Sequence, residues 1–488
     1  MVEHDFDVVI VGAGISGIGA AHHLLEQCPG KSFVVLESKA TFGGTWHTHR
    51  YPGVRSDSDL FTFGYRFKPW TGAPIASGEE ILRYLGETID ESELAPHIRY
   101  HHKIIAARWS TDSAQWTLDV VRCDTDELFT FTAKFLWMCQ GYYHHEKGYT
   151  PEWPGMDQFR GDIVHPQNWP SGFDCGGKQV VVIGSGATAA TLIPALVDEV
   201  QHITMLQRSP SFFIVRPNAN EVADMLRQLE IPDEWTHEIV RRKIIQDHEM
   251  ISSFAREYPD MAREFLINEI RALLPSGFDV DKHFNPAYRP WQQRIAVLPD
   301  GDLFAGILAG KASVVTDEIA TFTETGLLLK SGESLDADVI ITATGFDLSV
   351  LGNVSFEVDG VPFDAAAAVT YRGIMFTDLP NLAYVFGYFR ASWTLRADLI
   401  SDFVCRLINH LDDLGVSSVV PALTECETDM TLGPWVDPDN FNPGYLTRSM
   451  HLMPKQGSLD PWKLPHEYLV ERVELPAADL DDGCLVYT

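Results

Sequence analysis

The sequence shows no sign of paired cysteines. Its cysteines are scattered along the chain: Cys28, Cys123, Cys139, Cys175, Cys405, Cys426 and Cys484. No two stand at the C-x-x-C spacing of a zinc site or of a dithiol redox pair. Adjacent histidines occur at 22–23, 101–102 and 144–145, but no carboxylate or cysteine pattern accompanies them, so we predict no metal site. An odd, scattered set of cysteines is typical of a reducing compartment, and we expect a cytoplasmic protein.

Positive charge is also scarce. Lysine and arginine number 37 against 68 aspartates and glutamates, which gives a formal net charge of −31. A field of that sign repels phosphate backbones, so we expect no nucleic-acid partner and little attraction to anionic membranes. The sequence has neither an apolar run of membrane-spanning length nor the pattern of a signal peptide, so no integral membrane association is expected. Nothing in the sequence indicates the oligomeric state.

What the sequence does contain is a glycine-rich turn inside a strand–helix–strand pattern. A buried strand at 7–11 precedes the turn, a helix at 18–26 follows it, and a second strand at 32–36 ends beside Glu37. The turn has the form G-x-G-x-x-G and includes Gly12, Gly14, Ser16 and Gly17. Such glycines let a pyrophosphate approach the backbone at a helix N-terminus, and the carboxylate accepts hydrogen bonds from a ribose hydroxyl. The pattern predicts a dinucleotide site, and its place near the N-terminus favours FAD.

The same pattern begins again in the middle of the chain. A strand at 178–183 leads into a second turn, formed by Gly184, Ser185, Gly186, Ala187, Thr188 and Ala189. The strand that follows the next helix ends at Arg208 and Ser209, where an acid would repel a 2′-phosphate. An arginine and a hydroxyl favour NADPH over NADH, although Arg208 as a plain surface charge is the alternative interpretation.

Two such sites predict an α/β fold with two Rossmann-like dinucleotide-binding domains, one for FAD and one for NADPH. We expect a discontinuous FAD domain at 1–145 and 335–488, split around the NADPH domain at 176–334, with a linker at 146–175. Strands at 135–141 and 338–343 are expected to mark where the chain leaves and re-enters the FAD domain. A charged segment without glycine, about 221–275, predicts a helical insertion in the NADPH domain.

Two further strings carry a family resemblance. Residues 159–170 read F-x-G-x-x-x-H-x-x-x-W-P, and residues 43–57 read G-G-x-W-x-x-x-x-Y-P-G-x-x-x-D. Both resemble the type I Baeyer–Villiger monooxygenases, which are class B flavoprotein monooxygenases. Within that family the chain is most similar to the ethionamide-activating subgroup, through Gln293-Arg294, 299–304 and 386–388. It departs from that subgroup at Arg390, where the subgroup has asparagine.

The resemblance implies an enzyme that uses FAD, NADPH and O₂ to convert ketones into esters or lactones through a C4a-peroxyflavin, with sulfoxidation of thioethers as a side activity. Arg294 is implied as the fixed cation beside the oxygenating centre, because arginine stays charged at any working pH. Asp57 is implied as its acidic partner beside the flavin. His165 and Trp169 are implied in a hinge that couples the nicotinamide to the flavin. The flavin site is expected to include Thr45, Trp46, Asp57 and Ile104.

Other functions remain open at this point. A flavin monooxygenase that oxygenates nitrogen or sulfur has a similar string at 159–170, but usually without the tryptophan. A disulfide-type pyridine nucleotide reductase needs a cysteine pair near the flavin, and none is spaced for it. A flavin-binding protein without catalytic activity is a further alternative. For His165 and Trp169 the alternative is a packed structural linker.

Overall fold

Two sheets organise the chain, and each holds one of the glycine-rich turns. The computed structural model describes residues 3–424, 427 and 429–488. In the first sheet Glu3–Val11 pairs in parallel with Phe33–Leu36 on one side and with Glu127–Met138 on the other. From edge to edge this sheet contains Val361–Pro362, Ser355–Val358, His102–Ser110, Gln115–Arg122, Glu127–Met138, Glu3–Val11, Phe33–Leu36 and Ile98–Arg99, with Leu382–Tyr384 also paired to Glu127–Met138.

The second sheet is parallel throughout. Its strands, from edge to edge, are Ala312–Thr316, His202–Gln207, Gln179–Ile183, Val339–Thr342 and Asp162–Val164. Buried valines and isoleucines fill its central strands, as expected for a parallel sheet that is covered by helices on both faces. The predicted α/β fold with two Rossmann-like domains is confirmed.

One strand lies in a different sheet from the one that we expected. The segment 338–343 was predicted to re-enter the first domain, but Val339–Thr342 pairs in parallel with Gln179–Ile183 and with Asp162–Val164 of the second sheet. All four of its residues are buried and it has a parallel partner on each side, as expected for an interior strand of a parallel sheet. The expected boundary at 335 is therefore wrong for this strand, and Asp162–Val164 of the expected linker also belongs to the second sheet.

Helices cover both sheets, and short hairpins complete the structure. The helices are Ile15–Gln27, Thr45–Thr48, Leu60–Phe63, Gly78–Glu91, Ala187–Leu196, Glu221–Gln228, Asp233–Glu257, Pro259–Leu273, Val280–Phe284, Asp302–Leu308, Trp393–Leu414, Gly444–Ser449 and Tyr468–Glu474. The remaining paired strands are Phe213–Arg216 with Ala296–Pro299, Ile319–Thr323 with Gly326–Leu329 and Ser334–Asp336, Thr370–Tyr371 with Met375–Phe376, Val419–Pro421 with Leu485–Tyr487, and Leu432–Pro434 with Lys455–Gly457. Among the helices that the structure describes, none combines the length and the apolar character needed to cross a membrane.

The predicted helical insertion is present and is fastened to the first domain. It consists of Glu221–Gln228, Asp233–Glu257 and Pro259–Leu273. The buried side chain of Arg241 donates hydrogen bonds to the carbonyls of Phe61, Thr62 and Gly64, at 3.0–3.1 Å. An arginine can satisfy several carbonyls at once because its guanidinium carries five N–H groups. The insertion therefore extends from the second domain and is anchored to the first domain through Arg241.

A buried ion pair braces the segment that leads into the helix Trp393–Leu414. Arg396 is fully buried and pairs with the buried Glu471 at 3.0 Å. The same guanidinium donates to the carbonyls of Phe386 and Arg372, at 2.8 and 2.9 Å. A buried charge is tolerated only when it is paired and hydrogen-bonded, and here both conditions are met.

We expect Glu471→Gln to lower the free energy of unfolding by about 3–5 kcal/mol, because it leaves the Arg396 charge buried without its counter-ion. Urea denaturation of the flavin-loaded protein measures this loss. The control is Glu467→Gln, which removes an ion pair with Arg256 that is about one-third exposed, and it should cost less than about 1 kcal/mol. Equal, small losses in both variants would contradict the role given to the buried pair.

A second prediction concerns pH. His23 belongs to the helix Ile15–Gln27 and faces the helix Trp393–Leu414, where it lies 3.5 Å from Asp398 and 3.3 Å from Asp402. Burial acts to lower the pKa of His23, but the two carboxylates outweigh it and raise the pKa to about 9. Because the folded pKa lies above the ordinary value near 6.5, this stabilisation is complete below pH 6.5 and is lost as the pH rises through 9.

We therefore expect the melting temperature of the protein to fall between pH 6.5 and 9 by more than it falls in His23→Gln. That variant lacks the titrating group, so its melting temperature should be lower at pH 6.5 and depend less on pH over this interval. Parallel pH profiles for the two proteins would refute the assignment.

Candidate active site

A cavity of about 1070 Å³ lies where the two glycine-rich turns face each other. Its wall includes Gly12, Gly14 and Ser16 of the first turn and Ser185, Gly186, Ala187 and Thr188 of the second. The two turns come from different sheets, so the cavity lies between the two domains. Such a cleft is the usual position of a site that holds two cofactors and a substrate.

The first turn has no room for side chains. Gly12 has a φ of +98°, and a Cβ atom on Gly17 would lie 1.8 Å from the carbonyl oxygen of Gly12. Gly14 directly precedes the helix Ile15–Gln27, whose first N–H groups point toward the cavity. A bare backbone at a helix N-terminus is the arrangement that binds a pyrophosphate.

Two backbone N–H groups fix the carboxylate of Glu37. One carboxylate oxygen accepts from the backbone N–H of Ala13 and the other from that of Lys39, both at 2.8 Å. The side chain is buried yet forms part of the cavity wall, together with Ile104. Thr45 and Trp46 also line this part of the cavity, and the Tyr143 hydroxyl donates to Thr45 at 2.8 Å. These residues fit the adenosine and pyrophosphate of FAD.

The second turn is equally tight at its first glycine. Gly184 has a φ of +134°, and a Cβ atom there would lie 2.3 Å from the carbonyl oxygen of Ala343. Gly186 precedes the helix Ala187–Leu196 and has open space beside it. Ala189 replaces the third glycine, and its methyl group is fully buried in the hydrophobic core. The turn therefore keeps the bare backbone that a dinucleotide needs.

Arg208 and Ser209 follow the strand His202–Gln207 and lie outside the lining of the cavity. Both are exposed, and the carbonyl of Ser209 accepts from the Ser185 hydroxyl at 3.3 Å. The hydrogen bond holds these two residues next to the turn, where the 2′-phosphate of NADPH would be expected.

Arg294 and Asp57 form the charged centre of the cavity. The Nε and Nη2 groups of Arg294 both donate to Asp57, and Nη2 also donates to the Ser58 hydroxyl at 2.9 Å. Burial acts to lower the pKa of Arg294, but the Asp57 carboxylate outweighs it, so the pKa stays above its ordinary value. The side chain is 42% accessible because it faces the cavity. The pair therefore presents a permanent, oriented cation to the cavity.

Aromatic side chains that the sequence analysis missed surround this cation. Tyr142, Phe389, Trp393 and Tyr445 all line the cavity. The ring of Tyr142 stacks on Trp393, with 5.3 Å between the centroids, and the Trp393 indole N–H donates to Ser16 at 2.7 Å. Burial raises the pKa values of Tyr142 and Tyr445, so both hydroxyls stay protonated. The only sequence signal was that Tyr142 follows a glycine turn at the end of a strand.

His165 and Trp169 are not among the residues that line the cavity. The ring of His165 fills the space beside Gly148, and its Nδ1 accepts from the backbone N–H of Gln167 at 3.1 Å. Trp169 packs edge-on against Phe173, with 5.5 Å between the ring centroids. Neither side chain can reach a molecule in the cavity as it stands. Arg390 is likewise turned away from the cavity, with its guanidinium 3.9 Å from Glu467.

Comparisons with known proteins agree with this arrangement. Residues 10–69 match the model of an NAD(P)-binding Rossmann-like domain, and residues 74–240 match that of the flavin-binding monooxygenase-like family. The FAD-containing monooxygenase EthA of Mycolicibacterium smegmatis is 47% identical over 490 residues, which cover 100% of this chain and 98% of that protein.

Solved structures with the same fold include two monooxygenases. An oxidised steroid monooxygenase bound to NADP has a TM-score of 0.78 against this chain, at 24% identity, with 99% of each chain covered. An ε-caprolactone-bound cyclohexanone monooxygenase has a TM-score of 0.73 at 21% identity, with 86% of this chain and 90% of that chain covered.

The resemblance inferred from the motifs is thereby confirmed. The full-length similarity to EthA carries this conclusion, and the two cradles supply sites for both cofactors. The chain belongs to the family of FAD-containing, flavin-binding monooxygenases, and its cofactors are FAD and NADPH.

Proposed function

We propose that this monooxygenase converts ketones into esters or lactones with NADPH and O₂, and that it oxygenates thioethers as a side activity. The observation that carries the proposal is the Arg294–Asp57 pair, which faces the cavity between the two dinucleotide cradles. The ε-caprolactone in the similar cyclohexanone monooxygenase is a lactone, the product class expected here from cyclic ketones.

When bound, NADPH supplies a hydride and FAD supplies the redox centre at which O₂ is activated. Arg294 provides a fixed positive charge where negative charge develops on oxygen as it attacks a carbonyl carbon. Such a preorganised charge stabilises the transition state more than the ground state. Because the pKa of Arg294 lies above its ordinary value, the guanidinium keeps its charge at every working pH.

Asp57 orients that cation. Two parallel hydrogen bonds to one carboxylate fix the plane of the guanidinium, which a single bond would not do. The third nitrogen, Nη1, remains directed toward the carbonyl of Phe389 at 3.4 Å, a long contact that a substrate oxygen can replace. The neutral hydroxyls of Tyr142 and Tyr445 supply further donors without adding charge.

His165 and Trp169 are proposed as positioning residues. Both belong to the segment that joins the two domains, and His165 caps the short turn Pro166–Asn168. Their packing holds the linker against the second domain, which fixes how the nicotinamide site faces the flavin site.

The test of the reaction is NADPH consumption by the purified flavoprotein with a panel of ketones and one thioether, with products identified by mass. Esters or lactones that are one oxygen heavier than the ketones support the proposal. Sulfoxide formation without any ester would replace it with a monooxygenase that oxygenates only sulfur or nitrogen.

We expect Arg294→Ala to lower the rate of ester formation by about 10²–10³-fold, because it removes a preorganised cation from the oxygenation site. Flavin reduction by NADPH should be largely retained. It is monitored without oxygen as the loss of the flavin absorbance. Arg108→Ala is the matched control, because it breaks an exposed arginine–aspartate pair on the first sheet. Normal ester formation in Arg294→Ala would overturn the role of the cation.

We expect Tyr445→Phe to lower kcat/KM for ketones by about tenfold, since it removes one hydrogen-bond donor from the substrate site. The pKa of Tyr445 is raised by burial, so the wild-type rate should show no loss from its ionisation up to pH 10. Tyr258→Phe, which changes an exposed tyrosine on the insertion, is the control. Equal kinetics in the two variants would exclude the Tyr445 hydroxyl from substrate binding.

A further inference from the structure

Arg448 is a cation that the proposed reaction does not use. It lies in the short helix Gly444–Ser449 of the C-terminal segment, one turn after Tyr445 of the cavity wall. Its guanidinium carbon is 3.5 Å from the centroid of the Tyr149 ring, and Nη2 donates to the carbonyl of Phe346 at 3.3 Å. A stacked guanidinium has lost most of its freedom to move, so the charge is held in one place.

Arg448 contacts the segment that follows the strand Val339–Thr342. Phe346 follows Ala343, whose carbonyl oxygen is the atom that a Cβ on Gly184 would meet at 2.3 Å. The backbone N–H of Tyr149 donates to the carbonyl of Gly345 at 3.1 Å, so the stacking ring belongs to the same segment. Arg448 is thus held at the end of the strand Val339–Thr342, which pairs with the strand leading into Gly184, and it lies outside the residues that line the cavity.

Among the residues that the structure describes, no carboxylate forms an ion pair with Arg448 within 4.0 Å, and Asp347 acts on it only from a longer distance. Burial lowers the pKa of Arg448, and the positive charge of Arg208 acts in the same direction, while Tyr149 and Asp347 oppose both. Arg208 and Arg448 thus lie near enough for their positive charges to repel each other, in a chain whose net charge is −31. An anion between them would relieve their repulsion and be drawn in against the field of the whole protein.

We propose that Arg448 binds the pyrophosphate of NADPH, so that a residue of the C-terminal segment contributes to the dinucleotide site. Arg208 and Arg448 have separate tasks in this arrangement. Arg208 follows the strand His202–Gln207, whereas Arg448 contacts the segment that follows the strand Val339–Thr342. These two strands flank Gln179–Ile183 on opposite sides. The pyrophosphate passes over the turn that follows Gln179–Ile183, whereas the 2′-phosphate belongs at the end of His202–Gln207.

The test is the equilibrium binding of three probes to the oxidised flavoprotein, measured by calorimetry. NADP⁺ carries both phosphate groups, NAD⁺ carries only the pyrophosphate, and 2′-AMP carries only the 2′-phosphate. We expect Arg448→Ala to weaken the binding of NADP⁺ and of NAD⁺ by the same factor, about tenfold to a hundredfold, and to leave the affinity for 2′-AMP unchanged. Arg208→Ala is the matched comparison, and it should weaken the binding of NADP⁺ and 2′-AMP but not that of NAD⁺.

Further variants separate binding from structure. Arg448→Lys keeps the charge and should recover part of the affinity for NAD⁺, whereas Arg448→Gln should not. Arg122→Ala, an exposed arginine on the first sheet, should bind all three probes normally. FAD content and melting temperature should be unchanged in every variant. A loss confined to NADP⁺ would assign Arg448 to the 2′-phosphate instead, and unchanged binding of all three probes would remove it from the dinucleotide site; either result overturns the proposal.

Discussion

The arrangement of the site depends on the ion pair between Arg294 and Asp57. The two residues are 237 positions apart and come from different parts of the chain: Asp57 follows the first dinucleotide turn, and Arg294 precedes the strand Ala296–Pro299. Two hydrogen bonds to one carboxylate fix the guanidinium in one orientation, so the domains can differ in their relative position only at the cost of the pair. The same contact therefore holds the cavity together and directs a positive charge into it.

The charge distribution of the protein makes that cation more effective. With a net charge of −31 the chain offers few positive groups, and Arg294 is one that faces the cavity. Around Arg294 the wall is aromatic, and its tyrosines remain neutral because burial raises their pKa values. The oriented Arg294–Asp57 pair is therefore the charged group among neutral hydroxyls and aromatic rings in this part of the wall.

The frame behind the cavity is built from buried polar contacts as well as from apolar packing. Arg396 holds the carbonyl of Phe386, and His466 Nε2 lies 3.0 Å from the carbonyl of Gly387. Burial lowers the pKa of His466 to about 3, so the imidazole is neutral and donates this hydrogen bond. These contacts fix the backbone just before Phe389 and Trp393, and a fixed backbone lets the two rings form a wall instead of moving freely.

The sequence alone determined those features whose physics is local. Both glycine-rich turns, Glu37 and the helices of the insertion followed from spacing along the chain, because a turn without Cβ atoms and an amphipathic helix are encoded within a few residues. The motifs near Asp57, His165 and Trp169 indicated the family. What neighbouring residues cannot encode was decided by the tertiary structure: the strand Val339–Thr342 joined the second sheet because it is buried on both faces, and Tyr142 and Tyr445 met Arg294 only when distant segments folded together. The same is true of the contacts that Arg448 makes with Tyr149 and Phe346, about 300 and 100 positions away along the chain.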